Sequence, residues 1–347
     1  MKILVVYNCC GILNDNLPMW SAHLNKILRQ TYEDFHLCIS ACQVSKESRN
    51  YFVELQGKHL PNKIFINFIK DTLPVNITFN KSCMEASKIM NFDAFLYLAS
   101  DVNFTKDTKK SIKDIKKLGK SGKLEKSAKE QAEAGADIFN VDTEVISKLV
   151  ALHKGSNAGI TSGVVNNDHG IIIWLGEKVF DLLDSSHYEI PIGKTINLHC
   201  MLFDRKIYDN YNNRIIPDIF RSYCTESVFS YLTASLGLKF MIHDRTLFLT
   251  HYHGKDKGCA GFPGYKGWKD LFRSKLHVKD RLMTNEAISC GFGYEEELDP
   301  PVFPHDPNYY HGTTHISPQT LLDFNRKALY LGKDEFDYDT INSIFRN

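Results

Sequence analysis

One short segment of this sequence combines residue types that suit metal and phosphate chemistry. In the segment HYHGKDK, His251 and His253 alternate along a predicted strand, so both rings lie on one face. Gly254 allows the backbone to approach a phosphate group closely, and Lys257 adds a compact positive charge. The segment therefore indicates a metal or phosphate site, although a histidine after a strand also has an ordinary structural role.

Two carboxylates stand beside predicted elements elsewhere in the chain. Asp101 directly follows an apolar strand, and ligands of parallel sheets bind at the carboxyl ends of strands. Glu226 opens a predicted helix that Gly237 closes eleven residues later. Each has a structural alternative, because an Asp after a strand can cap the next turn and a Glu in a first helical turn complements the helix dipole.

The elements that must position these groups alternate between strand and helix in the first hundred residues. Apolar runs predict strands at residues 2–7, 36–41, 63–69 and 92–100. Helical spacing predicts one helix from Trp20 to Leu28 and another from Asn80 to Met90, with Ile89 on its apolar face. This alternation predicts an α/β fold with a mostly parallel sheet covered on both faces.

The rest of the chain adds strands, helices and two segments of different composition. Strands are predicted at residues 158–165, 170–176, 195–203, 238–243 and 247–252. Helices are predicted around residues 145–152 and 225–236. A Lys-rich helical insertion occupies 106–135, and a C-terminal extension, residues 262–347, is expected to pack on a domain formed by residues 1–261.

Composition limits the classes of function. The chain has 347 residues, 43% of them hydrophobic, and a net charge of +1, which is typical of a folded globular protein with no electrostatically obvious partner. The Lys-rich insertion lacks interleaved aromatic residues, which argues against nucleic-acid binding. No apolar run reaches about 18 residues, so no membrane span is expected.

The cysteines indicate a reducing compartment. There are nine of them without regular spacing, and several lie in apolar runs, which is typical of buried thiols in a cytoplasmic protein. The adjacent pair Cys9 and Cys10 is expected in an exposed loop.

The order and spacing of the motifs along residues 2–257 resemble those of the GT-A-fold glycosyltransferases, most closely the family 2 type. Tyr7 and Asn8 are similar to the Tyr-Asn that opens the nucleotide pocket in this family. The helix ending QTY-x-DF, Gln30 to Phe35, is a frequent family phrase. Residues Ala99 to Asp101 look like the metal-binding Asp-x-Asp, with Ala99 in place of the first Asp.

The resemblance implies a role for each reactive group. Mn2+ or Mg2+ would be held by Asp101 and His251, with His253 as the rival ligand, and Lys257 would meet the diphosphate of the donor. Glu226 would take the proton of the acceptor hydroxyl in an inverting transfer. The donor would be a nucleotide sugar, with UDP-sugars slightly favoured, and the acceptor a glycan or another hydroxyl compound.

Further positions follow the family less closely. Asn80 and Ser100 would face the donor, and Trp174 and His199 would lie near the acceptor. Asn80 has the alternative role of a helix cap, and Trp174 that of a core residue. The second strand ends without the base-reading Asp of relatives, since residues 40–43 are Ser-Ala-Cys-Gln.

Two other functions remain open on these residues. The missing carboxylates favour a non-catalytic protein that binds sugar nucleotides or glycans on the same fold. A metallohydrolase using His251, His253 and Asp101 would need another cluster of ligands, which the spacing does not provide. A homodimer is a candidate assembly.

Overall fold

The computed structural model describes residues 1–10, 16–70, 75–100, 102–104, 142–166, 187–190, 198–217, 229–243 and 248–251. The helices in these ranges are α1 (Leu17–Leu28), α2 (Lys46–Gly57), α3 (Val75–Ser87), α4 (Val145–Gly155), α5 (Arg205–Asn210) and α6 (Phe229–Ser235). The strands are β1 (Ile3–Cys10), β2 (Phe35–Cys42), β3 (Ile64–Ile69), β4 (Ala94–Ala99), β5 (Val102–Phe104), β6 (Ala158–Ser162), β7 (Val164–Asn166), β8 (His187–Glu189), β9 (Cys200–Asp204), β10 (Lys239–His243) and β11 (Phe248–His251).

The larger of the two sheets has eight strands in the order β3-β2-β1-β4-β9-β6-β10-β8. The first four are parallel, β9 is antiparallel to both of its neighbours, and β8 is antiparallel to β10. The predicted mostly parallel, mixed sheet is confirmed. The chain leaves β1 toward β2 and β3 and returns to β4 on the other side, so β1 and β4 form the switch point where such sheets bind ligands.

Helices cover both faces of this sheet, as the alternation of elements predicted. In β1, Ile3 and Val5 pack in the cluster that includes residues of α1, α2 and α4, whereas Leu4 and Val6 pack in the cluster that includes residues of α3, α5 and α6. All four side chains are fully buried. A strand buried on both faces reads as a continuous apolar run, which explains why β1 was recognisable in the sequence.

Hydrogen bonds from Gln30 and Thr31, in the QTY segment, connect the end of α1 to the start of α4. The amide of Gln30 donates to the carbonyl oxygen of Asp142 at 2.7 Å and accepts from the backbone N–H of Ile146 at 3.2 Å. The backbone N–H of Thr31 donates to the Thr143 carbonyl oxygen at 2.9 Å. Gln30 thereby satisfies an amide in the first turn of α4, which has no partner within its own helix.

Helices α2, α3 and α5 differ from the prediction, and the short α5 was not predicted at all. The helix expected from Asn80 to Met90 is α3, which begins at Val75 and ends at Ser87, so Ile89 lies beyond it and is 61% exposed. Burial of its first turns outweighs the modest helix propensity of the β-branched residues there. Helix α2 was missed because its sequence is largely polar, although Ser45 caps it by accepting the N–H of Ser48.

The strand predictions also need correction, and the short strands β5 and β8 were not predicted. The run 158–165 is divided at Gly163, where the chain leaves the large sheet and enters the small one as β7. The strand predicted from residue 195 begins at Cys200, after a bend. Cys9 and Cys10 belong to β1 rather than to a loop, and Cys9 is 1% exposed.

Five cysteines within the described residues are reduced thiols, as predicted. They are buried, and they are Cys9, Cys38, Cys42, Cys83 and Cys200. Burial raises the pKa of Cys200 to about 12; it does the same for Cys38, despite a hydrogen bond from Ser82 that lowers it. Such thiols stay protonated and unreactive near neutral pH.

Several predicted segments lie outside the described residues. They are the Lys-rich insertion 106–135, the strand 170–176 and the extension 262–347. The division at residue 261 therefore stays a prediction. Within the described ranges, no helix combines the length and the apolar character that a bilayer crossing requires.

Candidate active site at the carboxyl ends of β1 and β4

The small sheet brings two distant parts of the chain together beyond the end of β4. Its order is β5-β11-β7, and β5 pairs with β11 in antiparallel register. Val102 is the register partner of His251, which places their Cα atoms about 4.5–5.5 Å apart. Asp101 directly precedes Val102 in the sequence, so the chain enters β5 from Asp101 at the strand position that pairs with His251.

Two buried side chains hold the backbone at the end of β4. The Tyr7 hydroxyl donates to the carbonyl oxygen of Ser100 at 2.9 Å, and Nδ1 of His23 lies 2.8 Å from the same oxygen. A carbonyl oxygen only accepts, so His23 carries its hydrogen on Nδ1. Directly before the neighbouring strand β9, the His199 carbonyl oxygen accepts the N–H of Ala99 at 2.9 Å. The chain is thus fixed on both sides immediately before Asp101.

Polar groups also face the helix-covered side of the strand ends. Oδ1 of Asn8 accepts the Thr78 hydroxyl at 3.3 Å. Nδ2 of Asn8 and the hydroxyl of Ser40, its register partner in β2, are buried without a partner among the described residues. An unsatisfied buried donor costs about 1–3 kcal/mol, so these atoms mark a place where another acceptor or donor would be stabilising.

The Asn80 side chain binds the backbone of a distant segment of the chain. It lies inside α3, is 2% exposed, and its Oδ1 accepts the N–H groups of Ile215 at 3.0 Å and Ile216 at 3.1 Å. Its Nδ2 donates to the Ile216 carbonyl oxygen at 2.7 Å. Three of its four bonding sites are therefore occupied by the backbone of one segment, and it is not a helix cap.

The structure describes only some of the predicted site residues. Tyr7, Asn8, Ser100 and the carbonyl of His199 gather at the ends of β1, β4 and β9, and His251 ends β11. The others lie outside the described residues; they are Asp101, Trp174, Glu226, His253 and Lys257.

Gly237 closes α6 as predicted. Its φ of +66° lies in the left-handed region that glycine adopts without strain. The N–H of Gly237 donates to the carbonyl oxygen of Ala234 at 3.0 Å, and the N–H of Leu238 donates to that of Thr233 at 3.0 Å. The helix predicted to carry Glu226 therefore ends where the sequence indicated.

His23 contacts the candidate site, and the sequence analysis missed it. It lies three residues after Trp20 and four before Ile27, on the buried face of α1, and is 6% exposed. A polar residue at that spacing on an apolar face needs a buried partner, which was the available signal.

An open cleft of about 420 Å³ lies at the opposite edge of the sheet, beside Met1 and Asp93 at the amino ends of β1 and β4. In its wall, Nδ1 of His153 lies 2.9 Å from the Thr161 hydroxyl, and Nε2 lies 3.2 Å from Oδ2 of Asp204. Burial raises the pKa of Asp204, but the bonds from His153 and from the backbone outweigh it and lower the pKa overall. With both ring nitrogens used, this histidine links α4 to β6 and β9.

Comparison with known proteins finds structures of similar fold but no protein of similar sequence. No family model matches the chain, and no match was found among curated proteins. Among solved structures, a mannosyltransferase, PcManGT from Pyrobaculum calidifontis, in complex with GDP-Man and Mn2+, has a TM-score of 0.51 and 9% identity. The match covers 99% of this chain and 79% of that chain.

A second solved structure, GalNAc-T7 with UDP, GalNAc and Mn2+, has a TM-score of 0.50 and 11% identity. The match covers 99% of this chain, which spans 57% of that longer one. Together with the strand order and the two-sided helical cover, these likenesses show that the chain has the GT-A glycosyltransferase fold.

Proposed function

We propose that this protein is a metal-dependent glycosyltransferase that moves a sugar from a nucleotide-sugar donor to a hydroxyl acceptor. The observation that carries the proposal is the pairing of Val102 with His251 beside the β1–β4 switch point. It supports a shared role for Asp101 and His251, which the sequence resemblance assigned to one metal ion. UDP-sugars are the first donors to test, and the two structural neighbours were solved with GDP-Man or UDP.

The chemistry of this donor set fits a divalent cation. A carboxylate oxygen suits Mg2+ and Mn2+ alike, whereas an imidazole nitrogen favours a transition metal over Mg2+. We therefore rank Mn2+ above Mg2+, with Asp101 and His251 as protein ligands and His253 as the rival for His251. When bound, the cation would neutralise the charge of the leaving diphosphate.

The protein residues would carry out a single displacement. Glu226 accepts the proton of the acceptor hydroxyl while that oxygen forms a bond to the anomeric carbon. The bond between the anomeric carbon and the diphosphate oxygen breaks, and the nucleoside diphosphate leaves with the electron pair beside Lys257. One displacement inverts the anomeric configuration. Asn8, whose buried Nδ2 has no partner among the described residues, would face the nucleotide sugar at the end of β1.

The rival function is a non-catalytic binder of sugar nucleotides on the same fold. Ala99 favours it, because this half-buried residue at the end of β4 offers no carboxylate where the family has its first Asp. Release of nucleoside diphosphate from a donor panel in Mn2+ separates the two functions. Steady release by the wild type supports the enzyme, whereas tight binding without release supports the binder.

Light scattering of the same sample tests the proposed homodimer.

Removing the Tyr7 hydroxyl tests whether the end of β4 belongs to the donor site. In Tyr7→Phe, one of the two bonds to the Ser100 carbonyl is lost while His23 keeps the other. A typical hydrogen bond contributes about 0.5–1.5 kcal/mol, so donor affinity in Mn2+ should fall about 2- to 12-fold. Calorimetric titration of the donor measures the change.

Tyr32→Phe is the matched control for this variant. Its hydroxyl also donates to a backbone carbonyl, that of Met1, but at the opposite edge of the sheet. We expect this control to bind the donor as the wild type does. Equal losses in both variants would attribute the effect to general stability and would remove Tyr7 from the site.

A further inference from the structure

Three polar side chains form one row across neighbouring strands of the large sheet, near the carboxyl ends. Asn8 in β1 is the register partner of Ser40 in β2, and Ser40 is the register partner of Asn67 in β3. Register partners of parallel strands project from the same face, and the strands lie about 4.8 Å apart. Helix α3 covers this row, because its Thr78 hydroxyl donates to Asn8 and its Ser82 hydroxyl accepts from Nδ2 of Asn67 at 3.1 Å.

The middle of this row lacks hydrogen-bond partners. Ser40 is 1% exposed, and neither its hydroxyl nor Nδ2 of Asn8 has a partner among the described residues. At the ends of the row, Asn67 and Oδ1 of Asn8 are both bonded to side chains of α3. The bond to Thr78 occupies the oxygen of the Asn8 amide, so Nδ2 is turned away from that hydroxyl. Two buried polar atoms without partners therefore occupy adjacent positions on one face of the sheet.

A single oxygen atom can satisfy both of these groups. An oxygen that lies about 2.9 Å from each of two polar atoms bridges a gap of up to about 5.8 Å, which exceeds the spacing of neighbouring strands. An amide N–H only donates, whereas a hydroxyl donates or accepts, so the bridging atom must be an acceptor. The row is closed at the buried Ser40 and partly exposed at Asn8, which lies beside the β1–β4 switch point.

We propose that Asn8 and Ser40 form a binding site for one acceptor oxygen, supplied by an internal water molecule or by the bound nucleotide. An internal water typically makes about three hydrogen bonds to buried polar groups that would otherwise lack partners. A nucleotide oxygen would enter from the partly exposed end at Asn8, and this second source rests on the proposed function. Ser40 is then a specificity-determining residue, because a buried hydroxyl left without its partner disfavours ligands that lack the oxygen.

Ser40→Ala separates the two sources when the Tm of the free protein and the affinity for UDP and for GDP in Mn2+ are measured. If water fills the site, the Tm should fall, because the water loses a partner, and both nucleotides should bind within about twofold of the wild type. If a nucleotide oxygen fills it, the Tm should stay level or rise, because an unsatisfied hydroxyl is removed. The affinity for one nucleotide should then fall about 2- to 12-fold.

Ser82→Ala is the matched control, since it makes the same substitution at a buried hydroxyl that already has a partner, Asn67. It should lower the Tm and leave nucleotide affinity unchanged; an equal loss of affinity in both variants would overturn the nucleotide source. A high-resolution crystal structure of the free protein should show the water as an ordered oxygen within about 3.2 Å of Nδ2 of Asn8 and Oγ of Ser40.

A raised Tm in Ser40→Ala, together with wild-type affinity for both nucleotides, would overturn the proposal, because the hydroxyl would then bind no oxygen at all. Failure of the wild type to bind either nucleotide would instead contradict the proposed function. In that case the Tm of Ser40→Ala and the ordered oxygen beside Asn8 would still test the site.

Discussion

Glu226→Gln is expected to lose about 10²- to 10⁴-fold in the rate of sugar transfer while it keeps nearly all of its donor affinity. The amide has the size of the carboxylate but cannot take the proton of the acceptor hydroxyl. Donor binding is assigned to groups at the ends of β1 and β4 and does not require this proton transfer, so it should persist. Single-turnover transfer and donor titration measure the two quantities separately.

Glu189→Gln is the matched control for that result. This glutamate lies on the edge strand β8, where it pairs with Lys239 at 2.8 Å and is half exposed. Its loss should leave transfer within about twofold of the wild type, because exposed ion pairs contribute little. Normal transfer by Glu226→Gln would remove the assigned base, and with it the argument for inversion.

Asp101→Ala is expected to weaken donor binding at least about tenfold in Mn2+, or about 1.4 kcal/mol, and to remove most of the difference between Mn2+ and chelator. The reason is that Asp101 follows the carbonyl fixed by Tyr7 and His23 and precedes the register partner of His251. Calorimetric titration with and without chelator measures both effects.

Asp209→Ala is the control, because its carboxylate forms a surface ion pair with Arg205 at 2.6 Å. Its donor binding should keep the full metal dependence of the wild type. If Asp101→Ala bound the donor with undiminished metal dependence, the cation would have to be held by other residues, with His251 and His253 as the first alternatives.

The fold was largely predictable because its central strands are buried on both faces. The apolar runs of β1 and β2 are unambiguous, and their alternation with helices leaves few topologies. The errors fall where burial and sequence pattern disagree. Helix α2 is mostly polar, and α3 begins with β-branched residues. Periodicity therefore reveals neither the presence of α2 nor the start of α3.

The candidate site residues were assigned at strand ends, whereas contacts across the fold were not predicted. Asp101 was singled out because a polar residue after an apolar strand is conspicuous, and Asn8 because of the family resemblance; both assignments stay predictions. The contact of Asn80 with Ile215 joins residues 135 positions apart, and no local pattern indicates it. Tyr7 was assigned to the site on resemblance, but its hydroxyl bond to Ser100 depends on the register of β1 and β4.

The most direct test of the central claim is a thermal-shift series with UDP-, GDP-, CDP- and dTDP-sugars, each in Mn2+ and in chelator. One donor should stabilise the protein by about 2.7 kcal/mol at a concentration about a hundredfold above its dissociation constant, and only with the metal present. Absence of stabilisation by every nucleotide sugar in Mn2+ would contradict the proposed donor site. Equal stabilisation in chelator would contradict the role of the metal.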